Sequence, residues 1–246
     1  MNLFFDFKSL FFPNTCYVCG KSLGAPKLWM CNTCMMDIPL TGFWDLDQNP
    51  MEQKFWGLLP LKGACALMHF SKGSRYVNLI YSLKYYKHWR VAQSMGRYLG
   101  YILKDADKYK DVDYIIPVPL HYRRRLKRGY NQAEYIAKGL AEIMGAKVDA
   151  KTLKRVVHNP TQTKKDKYQR WKNVENIFAV GDTTHLKGKH ILLVDDVLTT
   201  GSTIVSCADS LLKQQSDITL SVATLACRVD IPGKGAIDDD FLVVKI

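Results

Sequence analysis

The chain has 246 residues, a hydrophobic fraction of 47% and a net charge of +12, from 35 Lys and Arg against 23 Asp and Glu. That apolar content excludes a disordered chain and suits one sizeable α/β domain with a small appendage. The positive balance favours polyanions (nucleic acid, phosphorylated metabolites or an acidic membrane face), and no apolar stretch reaches the length that spans a bilayer.

Within residues 1–13, Leu3, Phe4, Phe7, Leu10 and Phe11 recur at helical spacing. They predict an amphipathic helix packed on the body, with a membrane-surface helix as the alternative. Asp6 and Lys8 interrupt the apolar run, and it has neither a basic start nor a small-residue cleavage site, so it does not read as a signal peptide. Next come Cys16-x2-Cys19 and Cys31-x2-Cys34, separated by eleven residues. Two such thiolate clips satisfy a tetrahedral Zn²⁺; an iron–sulfur cluster uses the same ligands. Four sulfurs leave no open position, so the expected role is structural. Cys65, Cys207 and Cys227 are scattered and read as small core residues. The odd cysteine count without a secretory signal points to a reducing, cytoplasmic setting. Asn49-Pro50 and Leu59-Pro60 punctuate the end of this part, dividing the chain into residues 1–60 and 61–246.

From residue 64 strands and helices alternate. Strands are expected at 64–70, 114–118, 153–157, 190–194, 218–225 and 241–246. Helices are expected at 74–85, with Ser74 as cap and Val77, Ile80 and Tyr81 on one face, at 91–103, with Ala92, Met95, Leu99 and Ile102 aligned, and at 204–213. Asn131 and Glu134 fit a capping box that opens a helix ending at Gly145. Residues 159–173 are polar, basic and aperiodic, a loop. The alternation implies a mostly parallel sheet flanked by helices, with ligands beyond the carboxyl ends of the strands.

The run ILLVDDVLTTGST, residues 191–203, carries the most chemistry. A buried strand delivers Asp195 and Asp196 to the sheet edge. Thr199, Thr200, Gly201, Ser202 and Thr203 then turn into a helix whose first amides, with these hydroxyls, form an anion cradle. A phosphate fits there, and the adjacent carboxylates suit vicinal hydroxyls or a hard cation such as Mg²⁺. Together they describe a phosphorylated ribose. The chain has no Walker loop and no GxGxxG fingerprint. The segment resembles the 5-phosphoribosyl-1-pyrophosphate (PRPP) motif of type I phosphoribosyltransferases. That resemblance implies that Asp195 and Asp196 contact the ribose hydroxyls and that Thr199–Thr203 hold the 5′-phosphate.

Pro117-Val118-Pro119-Leu120, Arg124 and Arg128-Gly129-Tyr130-Asn131-Gln132, then Gln162-Thr163, Arg170, Asn173 and Phe178, are similar to the ComF family. Its members join a cysteine-rich zinc module to a phosphoribosyltransferase domain and are associated with DNA uptake during natural transformation. Lys164 and Lys165 depart from the Gly and Leu of that pattern. Read as residues, Arg124, Arg128, Arg170 and Lys172 are candidates to neutralise a pyrophosphate, and residues 161–173 form a candidate lid. The loop cations Lys164, Lys165, Lys167, Arg170 and Lys172, interleaved with Tyr168 and Trp171, also suit single-stranded DNA, as does the cluster Tyr85, Tyr86, Lys87, His88, Trp89 and Arg90. Two readings follow: a phosphoribosyl-transferring enzyme using Mg²⁺-PRPP, or a non-catalytic DNA-binding accessory that senses PRPP or phosphate.

Overall fold

The computed structural model describes residues 14–24, 29–71, 73–84, 88–157 and 177–228. The helix expected at 1–13, the basic loop at 159–173 with Arg170 and Lys172, the strand at 241–246, and Tyr85, Tyr86 and Lys87 lie outside the described residues.

The strands are β1 (Leu61–His69), β2 (Tyr114–Pro117), β3 (Lys147–Val148), β4 (Leu153–Arg155), β5 (Phe178–Val180), β6 (Lys189–Leu198) and β7 (Ile218–Cys227). The helices are α1 (Asn32–Met36), α2 (Pro50–Gln53), α3 (Val77–Lys84), α4 (Trp89–Leu103), α5 (Tyr122–Arg128), α6 (Gln132–Met144) and α7 (Ser202–Gln214). Five strands form a parallel sheet in the order β1-β7-β6-β2-β3, while β4 and β5 make a separate antiparallel pair. The chain moves from β2 to β3 in one direction across the sheet and from β6 to β7 in the other. Right-handed crossovers therefore put α6 and α7 on opposite faces. The crevice between β2 and β6 is the switch point of the fold, where ligands of open α/β sheets bind.

Ile191, Leu192, Leu193 and Val194 are fully buried because helices cover both faces of β6. On one side, α4 and α6 pack through glycines. Gly145 closes α6 in a left-handed conformation, φ 73°, as its position in the sequence predicts. At the amino ends of the strands, His190 Nδ1 lies 3.0 Å from Asp111 and its Nε2 2.9 Å from Ser221 Oγ. The order Ser–His–Asp invites a nucleophile reading. Ser221, however, is wholly buried and lies at the opposite end of β6 and β7 from the acid pair, so the network anchors strands.

Several expectations change. The strand at 190–194 continues to Leu198, because β7 goes on pairing with it through Asp195↔Thr224 and Leu198↔Cys227. The face of α3 buries Leu79, Ile80 and Leu83 while Tyr81 is exposed. Ser74 Oγ accepts from the Tyr76 N–H, just ahead of that helix. Asn131 does not close a capping box: its Nδ2 donates to Val118 O at 3.1 Å, and no side-chain cap bond forms. The cationic run after β2 is itself a short helix, α5, without a buried residue. His121 caps it by accepting the Arg123 N–H, and Gly129 ends it at φ 81°.

Among the described residues no helix is long and apolar enough to cross a membrane. Cys65, Cys207 and Cys227 are core residues, as expected.

Candidate functional site

In an extended strand, adjacent side chains point to opposite faces. Asp195 and Asp196, carried by β6, therefore look to different surroundings. Asp196 Oδ2 lies 3.7 Å from Lys84 Nζ at the end of α3. Asp195 is on the side of Arg155 and Cys207, both of which feel its charge. Its Oδ1 accepts the Asp196 N–H at 2.8 Å. Desolvation, then the neighbouring Asp196 carboxylate, pushes the Asp195 carboxyl up to about 7, against smaller opposing effects of the Asp196 N–H, Lys84 and Arg155.

A carboxyl raised in this way disfavours the fold once it ionises. Its contribution is most favourable below the unfolded value and is lost as pH rises towards about 7. Asp195→Asn should therefore melt a few degrees above the ligand-free wild type at pH 8. The gap should close towards pH 4, as read by thermal unfolding across that range. An equal gap at both ends would refute the environment assigned to Asp195.

After Leu198 the chain passes through Thr199 and Thr200 to Gly201, which adopts φ 81° and precedes the first turn of α7. Only glycine takes this conformation readily, and an added Cβ would also stand 3.1 Å from Phe55 Cε1. The N-terminus of α7 has no acidic residue in its first turn and no side-chain cap, so its orphan amides and partial positive charge are available to an anion. Thr200 Oγ1 and Ser202 Oγ lie 3.1 Å apart, both exposed at the loop. Ser202 and Thr203 belong to α7 itself, two residues earlier than expected.

The loop has a support that nothing local in the sequence signals. Lys54, just after α2, donates from Nζ to Thr199 O at 3.0 Å and to Arg228 O at 2.7 Å, while Phe55 packs beneath Gly201. Both residues come from the cysteine-bearing part of the chain and were not among the sequence candidates.

Of the basic candidates, Arg128 Nη1 donates to Gln132 Oε1 at 3.0 Å. Arg124 lies near Arg155. Burial, and then Arg124, lowers the affinity of the Arg155 guanidinium for its proton, while Asp195 opposes that. An open cleft of about 530 Å³ lies beyond the end of β2, floored by Pro117 and Pro119 and edged by Arg125, Lys151, Lys154 and Arg155. Cations thus gather around the carboxyl end of β2, beside the acid pair on β6.

The four clustered cysteines meet as their spacing requires. Cys16 and Cys19 lie on a turn closed by Gly20 N–H to Cys16 O at 2.9 Å, with Gly20 at φ 75°. Cys31 and Cys34 begin and line α1. Their four Sγ atoms lie within 4.8 Å of one another, and Cys19 Sγ and Cys31 Sγ are 3.8 Å apart. Zinc–sulfur bonds of about 2.3 Å give a tetrahedral edge of about 3.8 Å, so the donor set fits the ion. Burial opposes ionisation of Cys16, but the N–H groups of Cys19, Cys31 and Val18 outweigh it and bring the thiol down to about 6.

A family model described as the phosphoribosyl transferase domain matches residues 127–243. The DNA utilization protein YhgH of Salmonella typhi is 33% identical over 138 residues, 55% of this chain and 60% of that protein. Competence protein F of Haemophilus influenzae is 32% identical over 130 residues, 51% and 57% of the two chains. Competence protein ComFC of Bacillus subtilis is 33% identical over 118 residues, 48% and 46%. The chain spans 60% or less of the length of these relatives.

Proposed function

We propose that the chain is a ComF-type protein with a phosphoribosyltransferase domain, that it binds PRPP with Mg²⁺ at the end of β6 and that it acts in DNA uptake. The observation that carries this reading is the passage from β6 to α7. It joins an acid pair to a glycine-hinged, uncapped helix N-terminus at the switch point of the sheet. The proposed contacts are Asp195 and Asp196 to the ribose hydroxyls and Thr199, Thr200, Gly201, Ser202 and Thr203 to the 5′-phosphate. Arg124 and Arg128, with Arg170 and Lys172 from the basic loop, would neutralise the pyrophosphate. Mg²⁺ supplies charge neutralisation to the diphosphate. In the transfer reaction, a nitrogen nucleophile bonds to the anomeric carbon. The carbon–oxygen bond to pyrophosphate breaks, and pyrophosphate leaves with the electron pair. The two carboxylates stabilise the positive charge that develops on the ribose. Residues 1–60 form the zinc-bearing part in this assignment, with Cys16, Cys19, Cys31 and Cys34 as structural ligands, and residues 61–246 form the ligand-binding part.

Calorimetric titration of PRPP with Mg²⁺ tests the site. Asp196→Asn should bind about tenfold or more weakly, the scale of one hydrogen bond to a charged acceptor. No binding by the wild type, or equal binding by both, would end the assignment. Pyrophosphate release from PRPP across candidate acceptors then reads transfer.

The second reading, a DNA-binding accessory, is favoured by α5. All its residues are accessible, with Tyr122 58% and Leu126 78% exposed beside five cations, a surface suited to phosphates and stacked bases. Binding of single-stranded DNA that weakens steeply with salt would support it.

A further inference from the structure

Lys84 is the last residue of α3 and was not among the sequence candidates. A lysine at a helix C-terminus ordinarily keeps its ammonium in water, where the helix dipole favours it. This one reaches inward: Nζ lies 3.7 Å from Asp196 Oδ2, with the two side chains only 27% and 14% exposed. Ion pairs in full solvent contribute little, because water and salt screen them. This pair is largely shielded from both. Among the described residues, Lys84 is also the one ion-pair partner of the Asp196 carboxylate.

The backbone that carries the ammonium is fixed independently of the pair. Leu79, Ile80 and Leu83 anchor α3 in the core. Leu83 O, one residue before Lys84, accepts from Tyr130 Oη. Beside Tyr130, Asn131 Nδ2 donates to Val118 O at 3.1 Å, and the Val118 N–H donates to Val194 O at 2.8 Å, two residues before Asp196. A chain of hydrogen bonds thus sets the end of α3 against β6. The two acids are held differently. Asp195 Oδ1 accepts the Asp196 N–H at 2.8 Å, and Asp195 makes no ion pair among the described residues. Arg155 of β4 and Cys207 of α7 stand on its side, while Tyr130 feels Asp196 from ahead of α6. Two carboxylates in one desolvated site resist ionising together, and Asp195 holds its proton up to about 7. The position of the nearest cation then decides which member carries the charge, and that cation stands on Asp196.

We infer that Lys84 is a positioning residue of the phosphoribosyl site: its ammonium keeps Asp196 the charged member of the acid pair and so the stronger acceptor for the ribose hydroxyls. At 3.7 Å the ammonium is too far for a hydrogen bond. It lends charge without occupying the lone pairs of the carboxylate, which remain for hydroxyl donors. Lysine suits this use because its charge is a compact point on a flexible stem, where a guanidinium would fork onto both oxygens. The role towards ribose rests on the proposed PRPP site; the pairing of Lys84 with Asp196 does not.

Calorimetry of ribose 5-phosphate with the full-length, zinc-loaded protein tests this, without Mg²⁺ so that no metal stands in for the ammonium. Lys84→Met keeps the length of the side chain and removes its charge, and should bind about tenfold more weakly. Lys84→Arg restores a cation and should bind within about threefold of the wild type. In an Asp196→Asn background, Lys84→Met should change affinity by less than about twofold, because the group it acts through is gone. Thermal melting of the same ligand-free proteins checks folding and reads the pair directly. Lys84→Met should lower the midpoint by about 2–4 °C, and by less than about half of that beside Asp196→Asn. Wild-type affinity in Lys84→Met would overturn the role of Lys84. So would a Lys84→Arg protein as weak as Lys84→Met, or equal losses with and without the Asp196 carboxylate. If the wild type does not bind ribose 5-phosphate while the melting cycle shows the coupling, the PRPP reading falls and the pairing stands. A melting loss unchanged by Asp196→Asn would overturn the pairing itself.

Discussion

Replacing Gly139 with alanine is expected to lower the thermal midpoint by about 6–12 °C, the equivalent of roughly 3 kcal/mol in a chain of this size. Helix propensity alone predicts the opposite, because alanine is favoured over glycine inside a helix by about 1 kcal/mol. Packing decides the sign. A Cβ on Gly139 would stand 2.1 Å from Gln93 O and 2.8 Å from Arg97 N, both backbone atoms of α4 that cannot rotate away. Gly96, facing it, is equally tight: its Cβ would stand 2.2 Å from Ile136 O. The two helices approach backbone to backbone, and any side chain at these positions must push them apart. Gly73→Ala, where an added Cβ meets nothing within 4 Å, is the control and should melt within about 2 °C of the wild type. A Gly139→Ala protein as stable as this control would show that α4 and α6 are not in such close contact.

The sheet and its helices were legible because their apolar periods are strong. Ile191–Val194 could only be a strand buried on both faces, and the apolar stripe after Asn131, ending at Gly145, could only be a helix. The cysteine cluster was legible for a different reason: paired CxxC spacing has few competing explanations. What escaped depended on partners distant in sequence. The continuation of β6 through Asp195 and Asp196 is sustained by pairing with β7, and two adjacent acids carry no strand signal of their own. Helix α5 has no apolar period to read because it buries nothing. Asn131 has the right identity and spacing for a cap, but Val118 O competes for its side chain. Lys54 and Phe55 support the Thr199–Gly201 loop from about 145 positions away, a relation that no local pattern encodes.

That long-range support makes loss of the proposed zinc the second large effect. Chelation, or Cys34→Ser, should remove one zinc per chain and a contribution on the order of 10 kcal/mol to ordering the cysteine segment. Within the segment the other ties are short: α1 is only five residues long, Thr15 and Ser22 form a single bridge, and the Tyr17 N–H donates to Trp29 O at 3.1 Å, while Cys16, Cys34 and Ile38 join the same hydrophobic core as the sheet. Other ties run outward. Tyr76 Oη donates to Cys34 O at 2.8 Å, Tyr17 Oη meets His88 Nε2 at 3.2 Å, and Thr41 N–H donates to Leu67 O at 3.2 Å. Further along, Lys54 and Phe55 reach the loop at Thr199–Gly201. Disorder in the cysteine segment therefore weakens the footing of the loop, although no cysteine touches it. The metal-free protein is expected to lose near-ultraviolet circular dichroism and melt at least 10 °C lower. It should also bind ribose 5-phosphate more weakly, with affinity restored on adding Zn²⁺. Lys54→Met in zinc-loaded protein isolates the last step, because it removes the two carbonyl contacts and leaves the metal in place. It should reduce affinity for ribose 5-phosphate several-fold while leaving zinc content unchanged. An unaltered melting curve after complete zinc removal would exclude a structural role for the metal, and unaltered affinity in Lys54→Met would exclude this route from the cysteine segment to the loop.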